Sequence, residues 1–62
     1  MHPELLKKYR NKKYNFRDGI VLQHADGKST IDEIVEKSNF SKEEVLDVIN
    51  TYKKKEWLII RS

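Results

Sequence analysis

Sixty-two residues bound the chain to one domain, near the lower limit at which a single hydrophobic core holds a fold. The absence of cysteine excludes disulfides, thiolate metal sites and a cysteine nucleophile, and His2 and His24 are too few for a structural zinc site. The net charge of +3 conceals a segregation: residues 1–17 set six basic side chains against Glu4, residues 18–50 set three against eight acids, and residues 51–62 set four against Glu56.

In chain order, Pro3-Glu4-Leu5-Leu6-Lys7-Lys8-Tyr9 reads as a turn or two of helix, with proline near the start, where helices tolerate it. Lys7 to Lys13 is basic enough to be expected to stay disordered until a partner supplies negative charge or apolar cover. Phe16 to His24 is expected to be helical, capped by Asn15, with Phe16, Ile20 and Gln23 or His24 on one side. Gly19 weakens that helix by about 1 kcal/mol relative to Ala. Asp26-Gly27 is a turn dipeptide.

Thr30-Ile31-Asp32-Glu33 then fits a capping box, in which hydroxyl and carboxylate satisfy the free amides of a helix start. Ile31, Ile34, Val35 and Ser38 share a face, so the helix is expected to reach Lys37 or Ser38. Ser41-Lys42-Glu43-Glu44 is a second box, with Phe40 and Val45 placed as a hydrophobic staple. Val45, Val48, Ile49 and Tyr52 carry this helix to about Lys54, where lysines suit the negative helix end. Two capped helices around the turn Asn39-Phe40-Ser41 make a helix-turn-helix. Glu56 to Arg61 reads as a strand, and its expected partner is Lys28-Ser29-Thr30.

The stretch from Phe16 to Ile60 resembles the winged-helix superfamily in the order helix, short strand, capped helix, turn, capped helix, strand. Ala25-Asp26-Gly27-Lys28-Ser29-Thr30-Ile31-Asp32-Glu33-Ile34-Val35 resembles the Asp-Gly-x-x-Thr-(apolar)-x-Glu-Ile segment of PqqD-like and archaeal regulator domains. The resemblance implies a mainly α fold, a winged-helix-like helix-turn-helix with a truncated wing and a minimal two-stranded sheet. Residues 1–17 are then a basic-aromatic N-terminal arm and residues 18–62 the winged-helix-like domain. The chain's length, charge and composition also resemble the small inhibitors of the DNA sliding clamp of some hyperthermophilic archaea. That resemblance implies a protein partner and no catalysis, although Gln23 is not followed by the usual clamp-binding box. Charged residues at 37% fit the bias of proteins from hot environments.

As a DNA reader the second capped helix would present Lys42, Glu43, Glu44, Asp47, Asn50 and Thr51, and three carboxylates against one lysine repel a polyanion. The arm is the stronger candidate. Lys7, Lys8, Arg10, Lys12, Lys13 and Arg17 are interleaved with Tyr9, Tyr14 and Phe16, which suits a phosphate backbone with stacked bases or an acidic protein surface with aromatic anchors. A third possibility is that Leu5, Leu6, Tyr9 and Phe16 pack on the chain's own helices. Trp57-Leu58-Ile59-Ile60 is apolar on both faces, so Trp57 and Ile59 need cover from the arm or from a partner. No nucleophile–base pair, glycine-rich phosphate loop or metal-ligand set is visible, so neither catalysis nor a cofactor is expected. The apolar run Trp57 to Ile60 is too short to span a membrane, no secretory signal is visible, and a cytoplasmic protein is expected. The expected function is a small regulatory protein that binds another protein, a sliding clamp being one candidate. The alternative is a DNA-binding winged-helix transcriptional regulator.

Overall fold

The computed structural model describes residues 1–61. Strand β1 (His2–Leu5) leads through a single 3-10 turn (Lys7–Tyr9) to three helices, α1 (Phe16–Gln23), α2 (Ile31–Ser38) and α3 (Lys42–Lys54), and strand β2 (Leu58–Arg61) follows. The chain is thus mainly helical with one antiparallel pair of strands.

Local chemistry fixes the helix starts. The Asn15 side chain accepts from the Asp18 amide at the head of α1. Thr30 and Glu33 form a reciprocal capping box at α2, and Ser41 and Glu44 form another at α3. Asn39 ends α2 in the left-handed conformation, which Asn adopts at little cost, so α3 begins after a three-residue turn. Phe40 packs against the core to which Val45 belongs, and the two hold the N′ and N4 positions of a hydrophobic staple.

The core is built from Leu5, Val21, Leu22, Ala25, Ile34, Val45, Val48, Ile49, Tyr52 and Leu58. The expected inner stripe of α3 is fully buried. The expected face of α1 is not. Val21 and Leu22 point inward with Asp18, whereas Phe16 is 79% exposed. The half-turn between these faces is decided by packing against α3, which an eight-residue helix of modest amphipathicity does not encode.

The strand pairing also corrects the sequence expectation. β2 pairs with β1, in the register His2–Arg61, Pro3–Ile60, Glu4–Ile59 and Leu5–Leu58, and Lys28-Ser29-Thr30 forms no strand. Those three residues are otherwise engaged: the Asp26 carboxylate accepts from the amides of Lys28 and Ser29 at 2.8 and 3.0 Å, and Thr30 caps α2. Gly27, at φ 79°, turns the chain through a conformation that glycine enters without strain. The segment Pro3 to Tyr9, expected to be helical, is a strand and a 3-10 turn, because pairing with β2 overrides the helix preference of Glu, Leu and Lys.

β1 is also tied on its other side. Leu5 donates to the Ala25 carbonyl at 2.9 Å and Gly27 donates to that of Pro3 at 3.0 Å. The main-chain groups of Pro3 and Leu5 therefore face residues 25–27, and those of His2 and Glu4 face β2. The missing N–H of Pro3 costs the β1–β2 ladder nothing. By the same alternation Leu58 and Ile60 turn their N–H and C=O groups to the outer edge of β2.

Candidate functional site: a basic aromatic cluster joining the two chain ends

Antiparallel pairing of β1 with β2 brings the two basic ends of the chain together. The junction is an aromatic cluster. Tyr9 and Trp57 stack with centroids 4.5 Å apart and planes 7° from parallel. Tyr14 meets both Tyr52 and Trp57 edge-on, at 5.5 and 6.5 Å. The end of α3 positions Trp57. Glu56 takes the left-handed conformation at φ 64°, its amide donates to Lys53, and the Trp57 amide donates to Tyr52. These are the two bonds of a Schellman motif, and the Tyr52–Trp57 ring contact at 5.8 Å is the apolar contact that accompanies it.

Lysines surround the rings. The ammonium of Lys8 lies 5.1 Å from the Tyr9 ring centroid, and that of Lys12 lies 5.4 Å from Trp57. Lys55 lies 5.4 Å from Tyr52 and 4.9 Å from Trp57. These distances are within the range of cation–π attraction. The Tyr14 hydroxyl donates to the Tyr9 carbonyl at 2.6 Å, which pins the arm, and burial raises the Tyr14 pKa, helped by the neighbouring Tyr9. Arg10 donates to the Ala25 carbonyl at 2.8 Å and Leu6 donates to Trp57 at 2.8 Å.

Of the residues expected to contact a partner, the cluster unites Lys8, Tyr9, Lys12, Tyr14 and Trp57. Lys7, Arg10 and Lys13 are exposed beside it along the arm, and Leu6 is half-buried. Leu5 is a correction: at 3% exposure it belongs to the core and offers no surface, because its pairing with Leu58 faces inward. Phe16 and Ile59 are exposed but take no part in the ring cluster. Arg17 is turned the other way, towards Asp18 at 3.4 Å and Asp47 at 3.2 Å. Sequence reasoning missed Tyr52 and Lys55. The signal was present in their spacing from Trp57, since a left-handed helix end folds the following residue back over the last turn.

Of the acidic residues, Asp18 meets the cluster through the Tyr52 hydroxyl at 2.6 Å and Glu56 directly precedes Trp57. Asp32, Glu33, Glu43 and Glu44 occupy the first turns of α2 and α3. The backbone amide of Thr30 holds the Glu33 carboxyl below the usual range, and that of Lys28 does the same for Asp26. On α3, Glu44 is engaged in its cap and Asp47 is paired with Arg17. Among the described residues no group of three His, Asp or Glu is placed to hold a metal ion, and no helix is long and apolar enough to cross a membrane.

Comparison with known proteins identifies no relative: no family model matches, and neither the curated proteins nor the solved structures yield a match.

Proposed function

We propose that this chain is a small non-catalytic regulatory module of winged-helix type that binds another protein through the basic aromatic cluster at its joined ends. The observation that carries the reading is the enclosure of the Tyr9–Trp57 stack by Lys8, Lys12 and Lys55. Aromatic rings flanked by cations are the composition of a protein-binding hot spot, and lysines near the rim steer an acidic surface into place.

The partner this surface fits is a protein with an acidic and apolar face. A sliding clamp is one such candidate, and occupying it would hinder its other ligands. The outer edge of β2, with the N–H and C=O groups of Leu58 and Ile60 facing away from β1 and Ile59 38% exposed, adds a place where a partner strand can pair.

One observation favours the alternative, a DNA-binding regulator. With Glu44 in its cap and Asp47 paired to Arg17, Glu43 is the carboxylate of the first two turns of α3 without a partner among the described residues, although Lys42 is itself paired with Asp32 at 3.5 Å. The face remains net acidic, so the protein-binding reading is preferred.

The test is retention of proteins from a native extract by the immobilised chain, alongside titration with random duplex DNA. One protein retained by the wild type, and lost when Lys8, Lys12 and Lys55 are changed to Gln, is the expected result. Micromolar duplex binding that collapses as salt rises, with no protein retained, would install the regulator instead.

A further inference from the structure

We propose that Asp26-Gly27 is a self-modification site, at which isoaspartate formation is held in check by strand β1 and proceeds when that strand lifts. Both glycines of the chain follow an aspartate, at Asp18-Gly19 and at Asp26-Gly27. Asp-Gly is the dipeptide most prone to this reaction, because glycine leaves the attacking amide unshielded. The Gly27 nitrogen attacks the carboxyl carbon of the Asp26 side chain, a C–N bond forms, and one water leaves. The five-membered imide then takes up one water. Opening at the side-chain carbonyl restores aspartate, and opening at the main-chain carbonyl leaves the chain running through the β carbon. The mass is unchanged, and no oxidant, reductant or second reactant is consumed.

The fold restrains the two dipeptides differently. Gly19 lies within α1, where its amide donates to the Asn15 carbonyl at 2.8 Å. The Asp18 carboxylate is buried and bonded to the Tyr52 hydroxyl of α3. Asp18 is therefore freed only when the helices part. Asp26 is exposed, in the turn between α1 and α2. Its carboxylate accepts from the Lys28 and Ser29 amides, which keeps it ionised and so a poor target for attack. The attacking nitrogen is tied by β1: the Gly27 amide donates to the Pro3 carbonyl at 3.0 Å, beside the Glu4–Asp26 bridge.

The reactive pair is imposed by the turn itself. Gly27 has φ 79°, and a Cβ there would come within 3.2 Å of the Glu4 carboxyl, so a side chain is refused while β1 is docked. Asp26 is needed as the acceptor for two amides. Protection therefore falls to β1, a strand of four residues whose release leaves the three helices in place. Such peripheral elements open at lower free energy than the core they cover. In the product the extra backbone carbon carries the carboxylate away from Lys28 and Ser29, and Gly27 away from Pro3. β1 then no longer docks in its register.

The test is ageing of the full chain at neutral pH, then digestion with an endoprotease that cuts before aspartate and spares isoaspartate. The uncut fractions at positions 18 and 26 give both rates, each taken relative to its value in strong urea. In buffer, site 26 should outpace site 18 by at least about tenfold, because lifting a strand costs less than parting the helices. Leu5→Ala removes a side chain that anchors β1 and should speed site 26 by at least about tenfold. Val45→Ala weakens α3 and should speed site 18 while leaving site 26 unchanged, since α3 stays folded when β1 lifts. Should Leu5→Ala fail to fold, the wild-type ratio and Val45→Ala decide. Equal relative rates at the two sites, or a matched acceleration of both by Val45→Ala, would overturn the assignment. Asp26, Gly27 and β1 contribute no ring or lysine to the aromatic cluster, so this inference and the docking reading fail separately.

Discussion

Asp18 and Tyr52 meet in the core from positions 34 apart, and the Tyr52 hydroxyl donates to the Asp18 carboxylate at 2.6 Å. Asp18 is 8% exposed and its second partner is Arg17. Tyr52→Phe leaves that carboxylate short of a donor, so the variant should lose about 1–3 kcal/mol in urea unfolding at neutral pH with an unchanged m value. Burial, then the Asp18 bond and charge, push the Tyr52 pKa up to about 12. The folded state thus holds the phenolic proton more tightly than the unfolded state, whose tyrosine titrates near pH 10. The stabilisation is complete below about pH 10 and is lost as pH rises towards about 12. Urea midpoints above pH 10 should fall more steeply for the wild type than for Tyr52→Phe, and parallel profiles would show that the pair carries no linkage. Sequence marked Tyr52 as the end of an apolar stripe and Asp18 as one acid among many. Their meeting was not legible, because it depends on the angle between α1 and α3.

Elements whose signals are local were legible. Both capping boxes lie within four consecutive residues, and α2 and α3 begin and end where their caps and apolar spacing place them. β1 was not, since Glu-Leu-Leu-Lys-Lys favours helix in isolation and becomes a strand only because residues 58–61 pair with it from the far end of the chain. The turn into β2 carries its own prediction. Glu56 holds a left-handed conformation at φ 64°, which costs a non-glycine residue of the order of 1 kcal/mol. Glu56→Gly should therefore raise stability by about 0.5–1 kcal/mol in urea unfolding while leaving the Trp57 environment unchanged. Loss of stability would show that the Glu56 side chain does more than fill the position.

Across the whole molecule, a charge pattern that is basic, acidic and basic along the sequence has its two basic ends brought side by side by the β1–β2 pairing. The segregation was legible in the sequence, and the gathering of both basic ends on one ring cluster was not, because it follows from the β1–β2 register. Five of the seven cluster residues were named in advance, Lys8, Tyr9, Lys12, Tyr14 and Trp57, and Tyr52 and Lys55 were not. Leu5 was misassigned because an apolar residue beside a basic run is equally suited to a core and to an interface until its strand partner is known. Trp57 is the chain's only tryptophan and lies at the centre of the site, so its emission reports directly on occupancy. The measurement is a titration of that emission at physiological salt, first with the protein retained from the native extract and then with random duplex DNA. The account predicts a saturable change with the protein that weakens as salt is raised, and none with DNA. A saturable change with DNA and none with the protein would contradict it.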